Sequence, residues 1–207
     1  MKLTSHKIIS IIVLLIFSGL TFLSVNNKSI TVFYLLYLFW FDELIKVIFE
    51  HIKYKKLNNQ NQISEANKII FSPRYFMLFI YICFIIPCYG FMLAWSDKDL
   101  LVKNISTLLF KNWYFNLTLI GFLFRSIYDF KTSNQLKQTK LSLTQGMLTL
   151  HLSIILGLFI WAFTTGKLGN FSFDLGSYTL VAIVVPFILI KLIIDIRNLK
   201  QPDETDD

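Results

Sequence analysis

The residues with chemical potential in this sequence are charged groups set among apolar ones. Four lie in the stretch at 31–53, TVFYLLYLFWFDELIKVIFEHIK, which begins like a membrane span and then introduces Asp42, Glu43, Lys46 and Glu50. A charge at the centre of a bilayer costs about 2.5–3.5 kcal/mol on insertion scales, so each such residue needs a reason to be there. On a helix, Asp42 and Lys46 are four apart, as are Lys46 and Glu50, while Glu50 and Lys53 are three apart. These spacings put alternating charges along one face. Glu43 points about 100° away from Asp42 and lacks a partner four residues on. Adjacent helical carboxylates face apart, so Asp42 and Glu43 do not form a catalytic pair. Three readings follow: a ladder that neutralises itself and locks helices together, a proton, cation or substrate site lined by Asp42 and Glu43, or a short or tilted span whose charges reach water.

A second set lies at similar depth on later helices. Arg125 and Asp129 are four apart, Lys191 and Asp195 are four apart, and His151 sits between Leu150 and Leu152. Rise per residue puts them in one band with Lys46 and Glu50, where a shared polar cluster is one expectation. Ordinary snorkelling of long side chains to the interface is the other.

The elements that must position these groups are helices. Of 207 residues, 55% are hydrophobic and 16% charged, and the mean hydropathy is +0.58. Apolar segments at about 8–25, 30–52, 75–95, 105–128, 147–165 and 177–196 predict an all-α integral membrane protein with six transmembrane helices. They form a single domain at 1–200, followed by an acidic tail at 201–207 expected to be disordered. The segment at 8–25 follows Lys2 and Lys7 like a secretory signal. It is long for one and has no convincing small-x-small cleavage site, so a retained span is expected, with a cleaved, five-span form as the rival. Pro87 predicts a kink in the third span.

The net charge of +7 would suggest nucleic acid in a soluble protein. Here its distribution by loop argues for membrane orientation and against a nucleic-acid partner. Lys2 and Lys7, then Lys53, Lys55, Lys56, Lys68 and Arg74, then Lys131, Lys137 and Lys140, then Lys191, Arg197 and Lys200 alternate with sparser sets: Lys28, then Lys98, Lys103 and the embedded Lys111, then Lys167. Both termini are therefore expected in the cytoplasm of a bacterial cell, with Trp95, Trp113 and Trp161 toward the outer side. Cys83 and Cys88, five apart on different helix faces, read as small buried apolar residues. Phosphate loops, G-x-S-x-G, H-E-x-x-H and clustered histidines are missing, so no cofactor or metal is expected and an enzyme is disfavoured. No internal repeat is evident, which disfavours an inverted-repeat transporter within one chain.

The segment H-L-S-I-I-L-G at 151–157 and a final span ending K-L-I-I-D at 191–195 resemble a family of uncharacterised bacterial multi-pass membrane proteins, the domain-of-unknown-function family 6498. Trp40-Phe41-Asp42 with Lys53, and Tyr89-Gly90-Phe91, are similar to it as well. The resemblance implies a shared membrane fold and points at Asp42, Gly90, His151, Gly157, Lys191 and Asp195. Trp95 and Arg125 stand where the family pattern has a His-containing stretch, which argues against a family metal or haem role in this chain. The expected function is a small membrane subunit or scaffold, in contact with the lipid bilayer and with further copies of itself or another membrane partner. Ion- or proton-coupled transport at a midplane acidic site and a membrane-embedded enzyme on a lipid or quinone are the alternatives.

Overall fold

The computed structural model describes residues 12, 17, 19–21, 30–59, 70–132, 144–164 and 179–200, and the chain is all-helical, with no strand among them. Described positions at 12–21 are helical; the Thr21 hydroxyl donates to the Phe17 carbonyl at 2.7 Å, and the buried Phe17 ring meets Phe39 and Phe122.

Helix α1, Val32–Asn59, is the hub, touching each of the other α-helices described below. Thr31 opens it by accepting the Tyr34 N–H on its hydroxyl at 3.0 Å, supplying a partner to a first-turn donor that has none within the helix. Every residue from 33 to 39 is buried. A helix apolar on all sides belongs at the centre of a bundle, and this half of α1 is packed all round. Tyr37, Phe41, Phe110 and Phe115 form an aromatic cluster beside it, with Tyr37 stacked on Phe115 at 5.4 Å.

Helix α2, Ser72–Phe84, has Pro73 in its first turn, where a missing N–H costs nothing. It continues through a π-helical segment, Ile85–Phe91, and a 3₁₀ turn, Met92–Ala94. Pro87, where a kink is expected, lies in this π-helical segment: proline donates no N–H, and the wider turn absorbs the missing bond. Asn104, from the next helix, donates to the Tyr89 and Gly90 carbonyls there, each at 3.1 Å. The Trp40 indole fastens α1 to α2 by donating to the Leu78 carbonyl at 2.8 Å.

The span expected at 105–128 is not one helix. Helix α3, Lys98–Leu108, starts on Asp97, whose carboxylate accepts the Leu100 N–H at 3.0 Å. It ends in a turn at Phe110 with φ 57°. The Lys111 N–H returns to the Ser106 carbonyl at 2.8 Å and the Phe110 N–H to Thr107 at 3.1 Å. This pairing closes a helix at a left-handed residue, normally glycine. Asn112 then caps helix α4, Trp113–Thr132, by accepting the Phe115 N–H at 3.2 Å. Lys111 thus stands in an exposed turn and not inside a span. Capping groups on both sides of the break outweigh an apolar run that reads as continuous.

Helices α5, Gln145–Thr164, and α6, Thr179–Lys200, complete the described bundle. Among the described residues one helix, Ser72–Ala94, has the length and apolar composition to cross a membrane. The other apolar stretches, Gln145–Ile160 and Val184–Ile194, are shorter, and α1 is interrupted by its own charges. Of the six spans expected, the described helices thus give one candidate by length and composition. The tail at 201–207 and most of 8–25 lie outside the described residues.

Charged side chains lie inside the bundle beside its apolar core, and large apolar ones lie on its surface. Asp42, Glu43, Arg74, Arg125 and Lys191 are buried, while Phe76, Phe79, Phe124, Leu148, Phe159, Leu189 and Ile193 are exposed.

Candidate functional site

The buried charges of α1 are held from different directions. Asp42, 2% exposed, accepts from the Lys46 ammonium at 2.7 Å, one helical turn away. The Lys191 ammonium of α6 reaches the same Asp42 oxygen, Oδ2. Lys191 is itself 2% exposed and lies over the Phe39 and Phe122 rings at 5.9 and 5.8 Å. The aromatic faces add attraction to a cation taken out of water. Arg125 of α4, also buried, lies within electrostatic reach of the same carboxylate. One acid on the hub helix is thus linked electrostatically to α4 and α6.

Glu43 is held by α5. Its carboxylate accepts the Thr144 hydroxyl, and that hydroxyl accepts the Met147 N–H at 3.2 Å. Thr144 is therefore the cap of α5 and the contact to α1 at once. A carboxylate at a helix N-terminus also meets the positive end of the helix dipole. Gly146 makes room for it: a Cβ there would stand 1.6 Å from Glu43 Oε2. The carboxylate with no local partner in the sequence is thus met by a donor 101 positions away.

Further along α1, Glu50 pairs with Arg74 of α2 at 2.8 Å. The Arg74 side chain is 2% exposed, and its guanidinium lies 5.4 Å from the centre of the Phe71 ring. His51 stacks on the other partner of this corner, with its ring 4.6 Å from that of Phe71 and Nδ1 3.1 Å from the Tyr75 hydroxyl.

Of the residues singled out in the sequence, the fold brings together Asp42, Lys46, Lys191 and Arg125. Glu43 and Glu50 each go to a different helix. His151 does not join them: its exposed side chain lies beside Tyr81, ring centres 6.3 Å apart. The Asp195 side chain lies outside the described residues. Among those described, no group of three or more His, Cys, Asp or Glu side chains could hold a metal ion.

Sequence reasoning missed Arg74, Thr144, Gly146 and Tyr89. Arg74 reads as a loop cation beside Pro73. Thr144 carries a legible signal, a threonine just before an apolar helix. Tyr89 donates its hydroxyl to the Ile154 carbonyl across α5. Gly157 permits this, since a Cβ there would lie 2.9 Å from the Tyr89 oxygen.

Chemically, this arrangement neutralises and fastens. Removing one partner of a buried ion pair costs about 3–5 kcal/mol, because the other charge stays behind uncompensated. Compared with protein-family models, curated proteins and solved structures, the chain gave no match.

Proposed function

We propose that this chain is a small, multi-pass subunit or scaffold of the bacterial cytoplasmic membrane, with six spans and both termini in the cytoplasm. The spans are the N-terminal segment, α1, α2 with its π-helical continuation, α4, α5 and α6; α3 is a short connecting helix between the third and fourth. On this reading the chain is a member of the uncharacterised family it resembles. The observation that carries the scaffold reading is that both carboxylates in the middle of α1 are held by other helices, Asp42 by Lys191 of α6 and Glu43 by Thr144 at the start of α5. Ionisable groups facing the bundle interior, with phenylalanine and leucine outside, are what a bilayer demands of a polytopic protein. The basic loops alternate with the sparser ones in the register that six spans need.

Two experiments test it. Fluorescent-protein fusions after residues 60, 135 and 207 should fluoresce, and alkaline phosphatase fusions after 28, 97 and 170 should be active. The reverse pattern at any two sites would overturn the topology. In proteoliposomes with an imposed pH gradient, the purified protein should pass no protons above protein-free vesicles. A flux abolished by Glu43→Gln or Asp42→Asn with folding intact would replace the scaffold reading with proton transport.

A further inference from the structure

Two polar side chains on the α2–α5 seam are left over once the charge network has been accounted for. Tyr81 is 6% exposed, and its hydroxyl is buried without a hydrogen-bond partner among the described residues. A buried hydroxyl left unmet costs about 1–3 kcal/mol, so such groups are normally satisfied by something. Next to it, on α5, is His151, whose ring centre is 6.3 Å from that of Tyr81. The His151 side chain is exposed, and its neighbours on the same outer surface are Leu148, Leu152 and Ile155, each between 41% and 47% exposed. On the membrane reading this surface faces acyl chains, the worst place for a bare imidazole. No hydrogen bond from the protein meets the His151 ring among the described residues. One unmet donor inside the seam and one unmet ring at its mouth lie side by side.

We infer that Tyr81 and His151 form a lateral binding site, entered from the bilayer at the exposed His151 ring, for the carbonyl head of a lipid-soluble amphiphile. The Tyr81 O–H donates to the carbonyl oxygen, and an imidazole N–H of His151 supplies a second donor. The hydroxyl demands an acceptor, the imidazole N–H can share it, and a carbonyl on an apolar tail is the acceptor the membrane offers. Isoprenoid quinones and the ester groups of phospholipids share that chemistry. Depth favours the quinone. Tyr81 lies nine residues into a 23-residue helix, about 14 Å from its cytoplasmic end and within a few Å of its midpoint at 1.5 Å per residue. That is below the level of glycerol esters and within reach of a mobile quinone ring. Leu148, Leu152 and Ile155 would line the path of its tail.

The inference rests on the membrane reading, and its test reports on the two separately. The full-length protein, with its histidines ¹⁵N-labelled, is placed in nanodiscs made of ether-linked phosphatidylcholine, which has no ester carbonyl. Recovery with the discs checks the membrane reading. Ubiquinone-2 is then titrated. The His151 ring signals, assigned by loss in His151→Leu, should shift in a saturable way. Tyr81→Phe, which keeps the ring and removes only the hydroxyl, should weaken binding about five- to tenfold, and Tyr75→Phe should leave it unchanged. If the shift appears without quinone on moving to ester-linked lipid, the site takes the lipid ester. If protein recovered in the discs shows no saturable His151 shift in either arm, or Tyr81→Phe binds as the parent does, the site is refuted.

Discussion

Replacing Lys191 with methionine should loosen the bundle by an amount the geometry sets. Lys191 and Asp42 are both almost fully buried, and Lys191 brings α6 onto the hub helix through that carboxylate. Methionine keeps most of the volume and the contact with Phe39 and Phe122 but strands part of the Asp42 charge. Breaking a buried pair costs about 3–5 kcal/mol. Lys46 stays on the same oxygen at 2.7 Å and is 27% exposed, so the expected loss is near the lower limit, about 3 kcal/mol. For a chain of this size that corresponds to a fall in Tm of roughly 6–12 °C. Asp42→Leu removes the acid and leaves two ammonium groups without it, so it should cost more, about 3–5 kcal/mol. The double variant is the decisive one. If the pair acts as a unit, its loss should fall short of the sum of the single losses by about 1–3 kcal/mol. Thermal unfolding of the purified protein in detergent, followed by tryptophan fluorescence, measures all four corners of the cycle. Single variants that unfold within about 1 °C of the parent, or losses that simply add, would refute the idea that this pair fastens α6 to α1.

The remaining predictions concern close contacts. Gly146→Ala puts a methyl group 1.6 Å from the Glu43 carboxylate and should destabilise by about 1–3 kcal/mol; combining it with Glu43→Ala should recover part of that loss in the same unfolding assay. Gly157→Ala drives a methyl group to 2.8 Å from the Tyr89 ring and should lower Tm, and Tyr89→Phe, which loses only the hydrogen bond to Ile154, should cost about 1 kcal/mol. Phe110→Gly relieves a left-handed residue, worth about 1–2 kcal/mol. It also removes ring contacts with Tyr37, Phe41 and Phe115, at about 0.5–1.5 kcal/mol each. The net expectation is a modest loss of stability, and a gain in Tm would show that the turn, not the cluster, limits the fold.

Local chemistry made much of the architecture legible in the sequence. Apolar runs of helical length gave an all-helical chain, because length and hydropathy are properties of contiguous residues. The i,i+4 spacing gave the Asp42–Lys46 pair for the same reason, since a helix fixes neighbours one turn apart wherever it sits. Pro87 marked the place where the third span departs from a regular α-helix, because it lacks an N–H, though the π-helical form of that departure was not legible. The break at 109–112 was not found, although Asn112 is a capping residue, because the closing residue is Phe110 and not the glycine that usually marks such an end.

The identity of the partners across helices was decided by the tertiary structure alone. Glu43 lacks a partner four residues along its own helix, and its donor is Thr144, at the cap of α5. Arg74 reads as a loop cation and is instead buried against Glu50. Lys191, spaced to pair with Asp195, reaches Asp42. The sequence determined which residues cannot stand alone in an apolar setting, since burying a charge is costly whatever surrounds it. It could not determine which helix answers each one, because that depends on how the helices rotate and cross, and no spacing along one helix encodes it.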